Sequence, residues 1–182
     1  MKRWLICAAL LTVGIIAANS AYAQMAPPTP APELKKLEMF AGDWTAEGTM
    51  TAAPGTPSSK WSMTTHADWM EGNFFLVEHD EMDLGAMGKS KELAVMGYDP
   101  DNKVYTYRAF SSMGEAENAT GTLDGNTLTW LSDEHMNGQV MKGRFTMKIL
   151  SPTAYDMKFE LSQDGKQWMT AMEGKATKKY QP

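Results

Sequence analysis

Histidine and methionine are the residues of this sequence whose chemistry suits a metal ion. The chain contains three histidines and sixteen methionines, and thioether and imidazole groups together suit Cu(I) in an oxidising compartment. Two short segments combine both types: His79 with Met82 and Met87, and His135 with Met136 and Met141. The chain has no tight M-x-M or repeated M-x-x-M cluster, so the sequence predicts no metal site, and copper association stays a weaker alternative.

The alternation of polar and apolar residues predicts the directions of His66 and His79. His66 falls on the polar face of its predicted strand, as a solvated surface residue does. His79 alternates with Phe75 and Val77, so we expect it to point inward, either as a hydrogen-bonded structural residue or as a polar contact in a cavity. Acidic residues lie next to His79 and His135 in the sequence, but their oxygen atoms lack the regular spacing of a calcium-binding loop. Such acidic clusters are typical of solvated surface charge.

Enzyme motifs are absent from the sequence. The segment Gly85–Ser90 ends like a phosphate-binding loop, but Asp83 stands where the leading glycine belongs. There is no G-x-S-x-G, and the single cysteine, Cys7, lies near the N-terminus. Carboxylates are plentiful, yet no spacing pairs two of them. The sequence therefore predicts no catalytic residues, no enzyme activity and no cofactor.

The N-terminal residues predict export. Lys2 and Arg3 precede an apolar run, and Ala21–Ala23 is an A-x-A cleavage site, so residues 1–23 are expected to be a cleaved signal peptide that carries Cys7 with it. Cleavage lowers the basic count from 17 to 15 against 22 acidic residues, so the net charge changes from −5 to −7. A periplasmic or secreted protein without a stable membrane anchor is expected, and this charge argues against nucleic acid as a partner.

The remaining chain divides into a linker and one predicted domain. Residues 24–32 are proline-rich, which favours an extended linker. The domain is expected over residues 33–180 and to begin with one or two helical turns, Glu33–Phe40, because Leu34 and Leu37 share one apolar face.

From Asp43 onward the period of the apolar residues changes to two, which predicts antiparallel strands with one wet face. About ten such runs are separated by turn residues, of which Asp124–Asn126 is the sharpest hairpin pattern. Closing the sheet hides both edges, so we expect an all-β, up-and-down antiparallel barrel with a short N-terminal helix. A β-sandwich is the alternative architecture.

A short motif carries a resemblance to known families. Gly42-Asp43-Trp44 followed by Gly48 resembles the G-x-W of lipocalins, and more closely the bacterial family of domain of unknown function 1579. Further pieces match that family in order: Gly97-Tyr98-Asp99, Ser112-Met113-Gly114 and Gly121–Asn126. The resemblance implies a calycin-like barrel and no established activity. In the motif itself, Trp44 is expected to plug the barrel base, and the two glycines to allow bending or close approach of the backbone.

The wider group also includes a nitrobindin-like haem barrel, whose haem is held by a histidine near the C-terminal end. The last predicted strand here, Gln167–Thr177, contains no histidine. The missing histidine therefore argues against haem binding, and a haem-associated protein stays a weaker alternative together with copper association.

These observations predict a barrel that binds a small apolar or amphipathic ligand. A barrel of this size holds one such ligand or fills its interior with side chains, so a filled structural or protein-interaction barrel is the alternative. Arg108 is a candidate cation for a ligand carboxylate if it faces inward, and the oligomeric state stays open. The candidate lining residues are Trp61, Trp69, Phe75, His79, Tyr105, Tyr107, Arg108, Phe145, Met147 and Phe159.

Overall fold

A computed structural model describes residues 28–51, 56–136 and 138–180. The predicted signal peptide, residues 1–23, lies outside the described residues, and so do residues 24–27 of the predicted linker. Cleavage and export therefore stay predictions.

Ten antiparallel strands form a closed barrel. Each strand pairs with the next along the chain, and β1 also pairs with β10, so every described strand has two neighbours. This closure confirms the up-and-down barrel and excludes the sandwich. The strands are β1 (Gly42–Met50), β2 (Ser59–Trp69), β3 (Leu76–Asp83), β4 (Lys89–Asp99), β5 (Val104–Ser111), β6 (Ala116–Asp124), β7 (Thr127–Met136), β8 (Gln139–Ser151), β9 (Ala154–Ser162) and β10 (Met169–Lys178).

A 3-10 helix, Pro32–Phe40, precedes the barrel where the sequence predicted one or two helical turns. Its buried residues are Leu34, Leu37 and Phe40. A 3-10 helix has three residues per turn, so this spacing places all three side chains on one face, toward the barrel. A second, three-residue 3-10 turn spans Gly85–Met87. Among the described residues, no helix has the length and apolar character needed to cross a membrane.

The longer 3-10 helix covers one end of the barrel, and Trp44 forms the floor beneath it. Trp44 is 1% exposed, and its Nε1 donates a hydrogen bond to the carbonyl oxygen of Phe40 at 2.8 Å. The ring of Tyr155 lies 5.0 Å from that of Trp44 and 5.4 Å from that of Phe40. Tyr105 adds a bond from its hydroxyl to the carbonyl oxygen of Glu33 at 3.1 Å. Rings and polar contacts thus close this end.

The seam between β1 and β10 depends on two glycines. A Cβ added at Gly48 would overlap the carbonyl oxygen of Glu173, and one at Gly174 would lie 2.5 Å from the ring of Trp61. Trp61 fills the space left by the missing side chains, and its Nε1 donates to the carbonyl oxygens of Thr49 and Glu173 at 3.1 and 3.2 Å. The glycines therefore allow the close approach that closes the barrel.

Candidate binding site inside the barrel

The interior of the barrel contains a cavity of about 240 Å³. For comparison, a protein cavity of about 150 Å³ holds a benzene molecule. Its lining combines a large apolar surface with a few polar groups, as small-molecule sites do. It is lined by six methionines (Met63, Met82, Met96, Met147, Met157, Met172), five aromatic residues (Tyr107, Trp130, Phe145, Tyr155, Phe159) and five polar residues (Thr65, Glu78, Asp80, Glu92, Glu117).

Small residues leave the interior open beside two of the carboxylates. One row of strand-paired residues runs from Glu78 through Ala94 and Ala109 to Glu117. Both alanines are at most 1% exposed, and an alanine side chain ends at Cβ. The two alanines therefore leave space inside the barrel, and a glutamate lies next to them at each end of the row.

Two other acidic residues face each other in the next row. Asp80 and Glu92 are direct partners across β3 and β4. Asp80 is 7% exposed and accepts a hydrogen bond from the hydroxyl of Thr65. Glu92 accepts one from the hydroxyl of Tyr107 at 2.8 Å. Within the described ranges, each of these carboxylates thus has one neutral donor and no cation.

Burial inside the barrel raises the pKa of all four carboxyl groups. Desolvation raises the pKa of Asp80 to about 6 against the hydrogen bond from Thr65, which lowers it. The pKa of Glu117 rises to about 7, first through burial and then through neighbouring carboxylates. The pKa values of Glu78 and Glu92 are raised mainly by burial as well, that of Glu78 well above its usual range. At pH 7 the Glu117 carboxyl group is therefore close to half-protonation, and burial makes ionisation of the other three less favourable than in water.

One protein family model matches nearly the whole described domain. The model of the family described as "Protein of unknown function (DUF1579)" matches residues 29–178, which span the helix and all ten strands. The chain belongs to the DUF1579 family.

Solved structures with the same fold are distant in sequence from this DUF1579 protein. Rv2717c from M. tuberculosis superposes with a TM-score of 0.59 at 13% identity, over 83% of this chain and 99% of that one. The S-type phycobiliprotein lyase CPES from Guillardia theta gives a TM-score of 0.54 at 11% identity, over 81% and 93%. At these identities the likeness concerns the fold. None of the curated proteins matches the sequence significantly.

The predicted lining residues of this DUF1579 protein divide into three groups. Tyr107, Phe145, Met147 and Phe159 line the cavity. Trp61, Trp69 and Tyr105 lie inside the barrel but pack against its seam or its floor. The third group, Phe75, His79 and Arg108, is exposed on the outer surface.

The structure corrects the inward direction predicted for His79. The inward residues of β3 are Glu78 and Asp80, which line the cavity, so His79 between them points outward. Phe75 lies before β3, where its ring covers Gly97 at 2.7 Å from the position of an added Cβ. An apolar residue on the outer face therefore produced the misleading alternation.

Arg108 is exposed and lies outside the cavity. Its neighbour Tyr107 lines the cavity, so Arg108 takes the opposite face of β5, where its Nη1 donates to the carbonyl oxygen of Tyr107 at 3.0 Å. It therefore offers no cation to the interior.

Neither group of histidine and methionine residues considered for copper is brought together. Met82 lines the cavity while His79 is outside it, and Met87 is 53% exposed. In the second group, Met141 is paired with Glu134 and His135 with Val140, so His135 and Met141 lie on opposite faces of the sheet. His66, on the outer face as expected, lies between Asp43 and Asp68 at 2.7 and 2.8 Å. Among the described residues, no three or more His, Cys, Asp or Glu side chains are arranged to hold a metal ion.

The four carboxylates of the cavity were not predicted from the sequence. A usable signal was present: Glu92 has the same strand parity as the inward residues Ala94 and Met96, and Glu117 has the parity of Ala119. Extending the apolar face by one position in β4 and β6 would have placed both acids inside.

Proposed function

We propose that this DUF1579 protein is an exported barrel that binds one small amphipathic molecule in its interior. The observation that carries the proposal is the cavity of about 240 Å³ with eleven apolar or aromatic side chains and five polar ones on its wall. Barrels of this size either fill their interior or hold one small ligand. The alanines of β4 and β5 favour the second case, because they leave the interior beside them open.

The six methionines of the lining support binding of a flexible or variable apolar group. Methionine has an unbranched, polarizable side chain that adapts to irregular shapes. Three more methionines lie at the end of the barrel opposite the 3-10 helix. Odd-numbered strands run away from that helix, and these residues follow or end such strands: Met87 after β3, Met113 after β5 and Met136 at the end of β7. These three are 45–53% exposed. They supply an apolar rim at the end through which we expect the ligand to enter.

Export is the second part of the proposal and rests on the N-terminal sequence. Lys2, Arg3 and the Ala21–Ala23 cleavage site support it. Intact-mass analysis of protein from the exported fraction should show a chain that begins at Gln24. Retention of residues 1–23, or a lipid attached to Cys7, would contradict export by this route.

Ligand binding is tested by titrating the purified protein with an environment-sensitive apolar dye and counting bound dye by native mass spectrometry. We expect one dye per chain and a change in tryptophan emission, since Trp130 lines the cavity. A folded, ligand-free protein that binds no apolar probe would instead be a filled structural barrel.

A further inference from the structure

We infer that the ligand of this cavity is a small organic cation, whose ammonium group pairs with the carboxylates and whose apolar part contacts the methionines and rings. This inference rests on the proposed binding function and adds the charge of the ligand to it. The carboxylates concerned are Glu78, Asp80, Glu92 and Glu117.

The charged side chains that line the cavity are all acidic. β3 contributes two carboxylates, β4 and β6 contribute one each, and Glu134 of β7 lies close enough to Glu117 to raise its pKa. The titratable groups from β5 and β9 are the hydroxyls of Tyr107 and Tyr155, and the lining residues from β2, β8 and β10 are not titratable. Of the residues that the structure describes, no lysine, arginine or histidine lines the cavity. Lys178 lies at the floor, where its Nζ donates to the carbonyl oxygen of Met39 at 3.2 Å.

Two of the carboxylates have no partner of their own. In the described part of the chain, Glu78 and Glu117 form no hydrogen bond and no ion pair. The side chain of Glu78 lines the cavity and is partly buried, and burial is the largest cause that raises its pKa. Removing a carboxylate from water without a partner is costly, so its presence on the wall of a ligand-sized cavity points to a partner supplied by the ligand.

A buried carboxyl group lowers this cost by taking up a proton or by pairing with a cation. The raised pKa values of Asp80 and Glu117 show the first solution in the absence of a ligand. A bound ammonium group supplies the second, and the carboxyl groups then release their protons. Cation binding should therefore weaken as the pH falls from 8 to about 5.5, because protons compete for the same carboxylates.

The rest of the lining favours an organic cation over a metal ion. The described carboxylates are not arranged to chelate a metal ion, and the cavity is larger than a single ion needs. Five aromatic rings surround the space, and ring faces attract ammonium groups, most strongly where water is excluded. A molecule with an ammonium end and an apolar body satisfies both halves of the wall.

Three probes with the same octyl chain test the charge preference. Calorimetric titration of the full chain with octylamine, octanol and octanoate at pH 8 should show the amine binding about tenfold more tightly than the alcohol, and octanoate most weakly. The amine stays protonated between pH 8 and pH 5.5, so its expected loss of affinity at the lower pH reports the carboxyl groups of the protein. The affinity for octanol should change little.

Two cavity variants and one surface variant locate the effect. Glu78→Gln and Glu117→Gln should each remove most of the preference for the amine while octanol still binds. Glu71→Gln is the matched control, because Glu71 is exposed in the turn before β3, at the end of the barrel that the 3-10 helix covers. Circular dichroism of each variant checks that the barrel is folded.

The outcomes separate the two claims. Equal binding of all three probes, or failure of octylamine to bind a protein that binds the apolar dye, would overturn the inference about charge and leave the binding function standing. If neither the octyl probes nor the dye binds the folded protein, both claims fail. An amine preference that persists in both cavity variants would place the cation elsewhere and would also overturn the inference.

Discussion

Asp80 and Glu92 face each other across neighbouring strands on the inner wall of the barrel. Like charges directly opposite in an antiparallel pair destabilise a sheet, and here both groups are also removed from bulk water. The two residues keep this arrangement with one hydrogen bond each, from Thr65 and Tyr107. The pair therefore couples the protonation of the cavity to the stability of the fold.

The first prediction concerns pH and stability. The pKa of Asp80 rises from 3.8 to about 6, and that of Glu117 from 4.5 to about 7. At a pH between its unfolded and its folded pKa, each of these groups is protonated more in the folded chain than in the unfolded chain. The free energy of unfolding should therefore increase as the pH falls from 8 to 5. The gain from these two groups should be on the order of 4 kcal/mol, measured by urea denaturation of ligand-free protein. An unfolding free energy that is constant or decreases over this range would contradict the burial of these groups.

The second prediction concerns the cost of a cavity carboxylate. Glu117→Gln removes a charge that burial disfavours, so at pH 8 the ligand-free variant should be more stable than the wild type by on the order of 1–2 kcal/mol. The same variant should show a smaller dependence of stability on pH. Glu71→Gln, in an exposed turn, should change stability by less than about 0.5 kcal/mol. Destabilisation by Glu117→Gln alone would indicate a structural role for this carboxylate.

The third prediction concerns the floor of the barrel. Trp44→Ala removes a ring that is 1% exposed and bonded to the helix, and it should lower the free energy of unfolding by about 3–5 kcal/mol. Lys148→Ala, at an exposed position of β8, should change it by less than about 0.5 kcal/mol. Comparable losses in the two variants would mean that the inner and outer faces are misassigned.

The fourth prediction concerns access to the cavity. Met147→Glu places another carboxylate among the lining residues, so binding of the apolar dye should be lost, whereas Lys148→Glu on the outer face should bind as the wild type does. Fluorescence titration measures both. If Met147→Glu fails to fold, Phe159→Ala supplies a second test, since a larger cavity should accept a bulkier dye that the wild type excludes. Unchanged dye binding in the folded Met147→Glu protein would place the dye outside the barrel.

The sequence predicted the fold because most strands have one polar and one apolar face. Trp61, Met63, Ala67 and Trp69 of β2 illustrate this, with the exposed Ser62 and His66 between them. The Leu34, Leu37 and Phe40 spacing likewise indicated the helix that covers the floor. Closure followed from the need to hide the strand edges, which does not depend on individual side chains.

The polar half of the cavity could not be predicted by the same rule. In β3, acidic residues occupy both faces, at Glu78 and Asp80 inside and at Glu81 and Asp83 outside, so the direction of this strand was predicted from its few apolar residues alone and came out reversed. The rule also assumes an apolar interior, and a cavity with four carboxylates on its wall departs from it. The error for His79 thus arose where the chain departs from the pattern of a filled core.

Methionine methyl resonances offer the most direct test of the central claim that a small amphipathic molecule binds inside the barrel. The lining contains six methionines. The exposed Met87, Met113 and Met136, at the end of the barrel opposite the 3-10 helix, provide references within the same spectrum. With carbon-13 methyl-labelled methionine, titration with octylamine should shift the resonances of Met63, Met82, Met96, Met147, Met157 and Met172 and saturate at one molecule per chain. Shifts confined to the exposed methionines, or no saturable shift in the folded protein, would contradict binding inside the barrel.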